Sequence, residues 1–242
     1  MRVKITLQYN GTTFMGSQVQ KSTSNTVMGA LQHAFHRLGI DTVPVASGRT
    51  DRGVHATGQV VHCDLPPHWH HYERLKTILN RHLPSAIHIR SIHAAAADFH
   101  ARFSAKRRVY RYIMSEAEPN PFEADFITFS GTALDVALLN DAMGAFVGTH
   151  NFERFKKSGS DTSHDLRIIY KAFAYRWRGK VVLTFEGSGF LRSQIRMMVG
   201  FLLQINAGRR SKADLAEQLG CRADFKIKPA PHNGLYLARI KY

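Results

Sequence analysis

Val3-Lys4-Ile5-Thr6-Leu7-Gln8-Tyr9-Asn10-Gly11 places an apolar side chain at every second position and ends on a turn pair. Successive side chains of a strand point to opposite faces, so Val3, Ile5, Leu7 and Tyr9 line one side of a half-buried β-strand that stops at Asn10-Gly11. The period then changes. From Asn25 to Leu38 the residues Val27, Ala30, Leu31, Ala34, Phe35 and Leu38 share one helical face, and Gly39 closes the segment. Val43 to Ala46 reads as a short strand, Gln59 to Cys63 as another, Glu73 to Arg81 as a helix that stops before Pro84, and Ile87 to Ala94 as a strand. The order is β-α-β-α-β, with a polar, glycine-containing loop in its middle.

The second part of the chain echoes this order. Val109 to Met114 is rich in β-branched and aromatic residues and predicts a strand. A helix is predicted over Leu134 to Phe146, then strands over Ile168 to Trp177 and Lys180 to Glu186. Leu191, Ile195, Met198, Val199, Leu202 and Leu203 share a face of a long helix ending near Gly208. Ser211 opens a short helix with Asp214 in the capping-box position, and Leu235 to Ile240 forms the last strand. Strand periods interleaved with helix periods predict an α+β fold of two structurally related halves, mainly antiparallel sheets covered by helices. The division expected is 1–104, which carries the polar loop, and 105–242, which carries most of the basic charge. The sequence shows no internal repeat, so this symmetry is expected in structure alone.

Of the 242 residues 44% are hydrophobic, enough for a substantial core, and no long run of one charge sign argues for disorder. Lys and Arg outnumber Asp and Glu by 33 to 18, a formal net charge of +15. Residues 1–100 hold 10 bases against 5 acids and residues 101–242 hold 23 against 13. Such an excess points to a polyanionic partner, nucleic acid or an anionic membrane surface. No stretch reaches the roughly 18–20 apolar residues that span a bilayer, and Met1-Arg2-Val3-Lys4 leads into a strand and not a signal-peptide apolar block. A cytoplasmic protein without a membrane role is expected. Cys63 and Cys221, far apart and without CxxC spacing, fit ordinary thiols in a reducing compartment.

The central loop is Gly48-Arg49-Thr50-Asp51-Arg52-Gly53-Val54-His55. Two glycines bracket a single acid that lies between two arginines, with a histidine after it. Arg49 and Arg52 would favour the ionised form of Asp51, which suits a carboxylate nucleophile; an arginine–aspartate pair in a tight turn is the plainer account. His68, His70 and His71 could suggest a metal, but no third-site partner or supporting carboxylate spacing accompanies them, and a solvated loop is the reading adopted.

G-R-T-D-x-G-V-H resembles the catalytic loop of the tRNA pseudouridine synthase A (TruA) family, and further matches follow in order. Thr57-Gly58-Gln59-Val60-Val61-His62 is similar to the family's next strand, Asp98 to Ala105 to its junction segment, and Arg107-Arg108-Val109-Tyr110-Arg111-Tyr112 to the strand after it. Gly148-Thr149-His150-Asn151-Phe152, the stretch from Phe190 to Gly200 containing Arg196, and Gly234-Leu235-Tyr236-Leu237 complete the set. Three positions depart from the pattern. Ser17 stands where the family has Trp, Arg52 replaces a small residue, and Leu191-Arg192-Ser193-Gln194 replaces a His-rich stretch.

The resemblance implies a catalytic cleft between the halves, a homodimer with tRNA as partner, and isomerisation of uridine in the anticodon stem-loop, usually at tRNA positions 38, 39 and 40. Neither metal nor cofactor is implied. Asp51 becomes the nucleophile, attacking either the sugar or carbon 6 of the ring. Tyr110 would stack on the base and take the C5 proton, with a core tyrosine as the alternative. Arg49 and Arg196 would orient Asp51 or hold the flipped nucleotide's phosphate. Arg52 is read as an added phosphate contact or a solvent-facing side chain, and His55 is counted with the substrate-binding residues. Leu235 or Leu237 would touch the ring, core packing being an equal account of either. The competing readings are a non-catalytic RNA-binding protein, which leaves the Asp51 loop unexplained, and a metal-dependent nuclease, which needs clustered carboxylates.

Overall fold

The computed structural model describes residues 1–157 and 164–242. The chain divides into two compact units, Met1–Lys106 with Tyr236–Tyr242, and Arg107–Leu235. Both are α+β.

In the first unit β1 (Arg2–Tyr9) buries Val3, Ile5 and Leu7 completely, as its alternation requires. Helix α1 (Val27–His36) starts where the Thr26 hydroxyl accepts the Gly29 N–H at 3.1 Å, and it buries Val27, Met28, Leu31, Ala34 and Phe35. After β2 (Val45–Ala46) and the polar loop comes β3 (His55–Asp64), antiparallel to β1 from Arg2↔Asp64 to Tyr9↔Ala56. This strand is four residues longer at its start than its sequence pattern predicts. Eight of its ten residues are buried, so neither face alternates and no period of two marks it. His55 is thus the first strand residue and not a loop residue. Helix α2 (Tyr72–His82) packs Leu75 and Leu79 inward, and β4 (Ile87–Ala94) pairs antiparallel with β1.

In the second unit β5 (Arg107–Ser115) is followed by a two-residue strand, β6 (Thr128–Phe129), parallel to it. Helix α3 (Val136–Gly144) is capped by Asp135, whose carboxylate accepts the Leu138 N–H at 3.0 Å. Then come β7 (Gly148–Asn151), a 3-10 turn over Glu153–Phe155, β8 (Leu166–Trp177) and β9 (Lys180–Gly187), giving the antiparallel order β5-β9-β8-β7. β6 and β7 escaped the sequence reading because strands of two and four residues carry no period. Helix α4 (Gln194–Asn206) buries nine of its thirteen residues. Leu191 precedes it instead of joining its face, because Leu191 and Gln194 close a turn in which Leu191 N–H donates to Gln194 Oε1 at 2.8 Å. Helix α5 (Lys212–Leu219) opens with the reciprocal Ser211–Asp214 capping box anticipated from sequence, its two bonds at 2.8 and 3.1 Å. An aromatic core of Phe146, Phe152, Phe155 and Phe201 fills the space beneath. β10 (Leu235–Lys241) carries the chain back to the first unit, where Tyr236 and Leu237 pair parallel with His55 and Ala56 of β3.

The two units repeat one device that the sequence does not advertise. In the first, Asn80 of α2 donates to Ile89 O at 3.0 Å and accepts from Ile89 N at 2.7 Å, satisfying the end strand β4. In the second, Asn140 of α3 does the same to Ala174 of β8, at 2.9 and 2.8 Å, beyond the stretch that β7 covers. A helix carboxamide completes an exposed strand edge in each half, where unpaired backbone would otherwise invite association. Among the described residues no helix is long and apolar enough to cross a membrane.

Candidate active site

The loop from Ser47 to Val54 is held at its base by Gln59, a carboxamide only 1% exposed in the middle of β3. Its Oε1 accepts from Ser47 Oγ at 2.7 Å and from Val60 N at 3.1 Å, and its Nε2 donates to Gly48 O at 2.9 Å. Further along, Thr50 Oγ1 bonds the Tyr9 hydroxyl at 2.9 Å, Thr50 N donates to Ser17 Oγ at 2.8 Å, and Ser17 N donates back to Thr50 O at 3.1 Å. Burial pushes the Tyr9 hydroxyl up to about 12, so it stays protonated. Past Asp51 the chain turns back. Val54 N donates to Asp51 O at 3.1 Å, and Gly53 takes a φ of 75°, a conformation that disfavours residues with a Cβ.

Asp51 is half-buried, while the flanking Arg49 and Arg52 are both exposed. Their charges therefore act on Asp51 through a partly aqueous path, weakened by screening. His55 is buried at the start of β3. Its Nδ1 accepts the Gly11 N–H at 3.1 Å, which assigns the proton of the neutral ring to Nε2, and its face stacks on Tyr236 at 4.8 Å. Gly11 has no room for a side chain, since a Cβ there would lie 2.1 Å from Val54 O. Leu237, beside Ala56 in the sheet, is completely buried.

In the second unit Tyr110 lies on β5 opposite Phe185 of β9, half-buried, with its ring edge-on to Phe190 at 5.2 Å. Arg196 sits in the first turn of α4. Its Nε donates to Ala230 O at 2.6 Å, and Ala230 N donates to Arg196 O at 2.8 Å. Gly200 lets that segment approach, because a Cβ would meet Lys228 O at 2.3 Å. Leu235 is 5% exposed. The run before it is seated by Tyr112, whose hydroxyl donates to Pro231 O at 2.9 Å and bonds Thr128 Oγ1 at 2.8 Å.

Several bases have work inside the fold. Arg107 pairs with the buried Glu186 carboxylate at 3.0 Å and lies over the Tyr170 ring at 4.3 Å. Arg108 donates to Ser188 O at 2.7 Å, and Arg210 lies over Phe225 at 4.3 Å. Arg111 and Arg209 are exposed. In the 68–71 loop the His70 and His71 rings lie 4.1 Å apart, tilted by 50°, and His68 tilts against Trp69 in the same way. Among the described residues no group of three or more metal-ligating side chains occurs. Both cysteines are free thiols, and burial pushes Cys63 up to about 12.

Sequence reasoning missed the residues that seat the loop. Tyr9 was legible only as an alternating core position, and Ser17 only as a departure from a motif. Gln59 was the available signal, an amide in an otherwise apolar strand, since a buried amide must find partners.

A family model described as tRNA pseudouridine synthase matches residues 5–104 and 142–242. The tRNA pseudouridine synthase A of Helicobacter hepaticus is 37% identical over 245 aligned residues, covering 99% of this chain and 98% of that protein. Those of Wolinella succinogenes and Geobacillus kaustophilus are each 38% identical, covering 98% and 100% of this chain and 92% and 94% of theirs. The two matched segments carry the Asp51 loop and the α4–β10 region respectively, and the relatives align from end to end. The chain belongs to the tRNA pseudouridine synthase family.

Proposed function

We propose that this protein isomerises uridine to pseudouridine in the anticodon stem-loop of tRNA, at positions 38, 39 and 40, with Asp51 as nucleophile and no cofactor. The observation that carries the reading is the placement of Asp51. It is a half-buried carboxylate on a loop whose neighbours on both sides are pinned by hydrogen bonds, inside the segment that matches the family model. Such a group is preorganised to attack without first paying to order itself.

The isomerisation breaks the bond from C1′ to N1, forms one from C1′ to C5, moves a proton off C5 and leaves one on N1. A carboxylate can open this sequence by attacking C1′ or by adding to C6. The uridine must first leave its stack, which costs a few kcal/mol. Tyr110 is assigned to stack on the base and take the C5 proton, its hydroxyl chemistry suiting that step. Arg49, Arg52 and Arg196 are assigned to the nucleotide's phosphate or to Asp51, and His55 to the substrate-binding set. Leu235 or Leu237 is assigned as the apolar contact to the ring, Leu235 being 5% exposed and Leu237 fully buried. The formal net charge of +15 favours the polyanion. The family resemblance further assigns a homodimer and a cytoplasmic location.

Incubating unmodified tRNA with the protein and mapping pseudouridine by mass spectrometry tests the reading. New pseudouridine confined to positions 38–40 supports it. Pseudouridine elsewhere overturns the site assignment, and none at all overturns the activity.

A further inference from the structure

We propose that Ser17 is a positioning residue for Asp51: its hydroxyl oxygen and its backbone N–H form a two-bond clasp on Thr50 that fixes where the neighbouring carboxylate points. The proposal rests on the assignment of Asp51 as nucleophile.

The peptide group is planar, so holding a backbone N–H or C=O holds the whole plane that contains it. Thr50 N lies in the plane before Thr50, and Ser17 Oγ accepts its proton at 2.8 Å. Thr50 O lies in the plane that also contains Asp51 N, and Ser17 N donates to it at 3.1 Å. The plane after Asp51 is held in turn by Val54 N, which donates to Asp51 O at 3.1 Å. Asp51 therefore sits between two pinned planes, and little freedom remains in its φ and ψ. Ser17 is itself anchored, since its own carbonyl accepts from Met28 N in the first turn of α1 at 2.9 Å. The clasp thus ties the loop to a helix end.

The hydroxyl's other polar neighbour is the buried Tyr9 phenol, which itself bonds Thr50 Oγ1, so that contact too belongs to the cluster seating Thr50. Ser17 is 2% exposed, so it offers almost nothing to solvent or to a ligand. An apolar or aromatic side chain at position 17 has no oxygen there, and would leave the N–H of the buried Thr50 without that acceptor. The Trp that the family pattern places here cannot make this bond, so the clasp is a feature of this chain's own loop.

The test compares Ser17→Thr with Ser17→Val. The two replacements have nearly the same shape and differ in the acceptor oxygen, so any crowding at this buried site is common to both. Ser17→Ala, which adds no atoms, serves as the third variant and decides the matter should both larger residues melt below the assay temperature. Asn80→Ala, which loses two hydrogen bonds at the β4 edge, reports what a purely structural loss does. Single-turnover conversion of tRNA, the Kd for the same tRNA and Tm are measured for each.

The expected result is a single-turnover rate about tenfold or more lower for Ser17→Val and Ser17→Ala than for Ser17→Thr, with Kd unchanged within about threefold, because small misplacement of a reacting group is costly to rate. Asn80→Ala should lower Tm and keep its rate. Equal rates for Ser17→Val and Ser17→Thr, or for Ser17→Ala and the wild type, overturn the proposal. So does a rate loss in the Ser17 variants no larger than the change Asn80→Ala shows for an equal fall in Tm. Asp51→Asn is run beside them. If it turns over normally the nucleophile assignment falls, whereas an inactive Asp51→Asn with equal Thr and Val variants sinks the clasp alone.

Discussion

Gln59 reaches from the middle of β3 to the foot of the loop that carries Asp51, taking a hydrogen bond from Ser47 Oγ at 2.7 Å while its amide nitrogen donates to Gly48 O at 2.9 Å. One buried side chain thereby joins the strand to the segment that carries Asp51. Gln59→Leu keeps much of the volume and removes every one of these bonds. Each buried group left unpaired costs about 1–3 kcal/mol, so urea unfolding should show a loss of that order or somewhat more, with conversion of tRNA reduced as well. A variant as stable and active as the parent would mean the loop is held by other contacts.

Glu116 accepts two bonds from Arg176, both at 2.9 Å, and one from Leu134 N at 2.7 Å, and the Arg176 bonds foremost hold its carboxyl down at about 2. A folded pKa below the unfolded one means stability that is present above the unfolded value of about 4.5 and is lost as pH falls towards about 2. Glu116→Gln should therefore have a lower Tm than the parent at pH 6, and the gap should narrow as pH falls through that window. The pair lies at the surface, with Arg176 exposed and Glu116 half-buried, so the gap is expected to be small and to shrink with salt. A gap that stays constant from pH 6 to pH 3 contradicts the assignment.

If phosphate contacts dominate binding, the Kd for tRNA should rise steeply between low and physiological salt. The structure sorts the bases. Arg209 is exposed, so Arg209→Ala should weaken binding and flatten the salt slope by about one ion. Arg107 is committed to Glu186, so Arg107→Ala should instead lower stability, by about 1–3 kcal/mol, and change the slope less. A flat salt titration of the parent protein would remove the electrostatic account altogether.

Tyr110 rests edge-on against Phe190 and is half-buried, so its ring has both a packed side and an accessible one. Tyr110→Phe keeps the ring and loses the hydroxyl. The expected outcome is tRNA affinity within about threefold, an unchanged Tm, and single-turnover conversion slower by about a hundredfold, the usual scale for a positioned acid or base. An earlier melting transition with normal conversion would return Tyr110 to the core.

Most of the regular elements could be read from period alone. β1 alternates because one face is buried, α1 and α2 carry apolar stripes with recognisable ends, and the Ser211–Asp214 box is written in two residues. What escaped did so for physical reasons. β3 is buried on both faces and shows no alternation, and β6 and β7 are too short for any period to develop. The motif around Asp51 stands out in the sequence, but its supports do not. Ser17, Tyr9 and Gln59 lie 34, 42 and 8 positions from Asp51; Tyr9 meets Thr50 through the pairing of β1 with β3, Gln59 meets the loop foot through that of β2 with β3, and Ser17 meets Thr50 from the start of α1. Contacts made by tertiary proximity leave no local trace. The mutual service of Asn80 with Ile89 and Asn140 with Ala174 is of the same kind, a structural echo between halves whose sequences do not repeat.

The central claim is that Asp51 attacks the uridine. Asp51→Asn retains the side chain's shape and removes the charge on which attack depends. The direct measurement is tritium release from tRNA labelled at uracil C5, with filter binding of the same tRNA and a melting curve run alongside. The account predicts that release falls by several orders of magnitude, equivalent to roughly 5 kcal/mol or more of transition-state stabilisation, while binding and Tm stay near those of the parent. Release at a near-normal rate from a folded, tRNA-binding Asp51→Asn protein would contradict it.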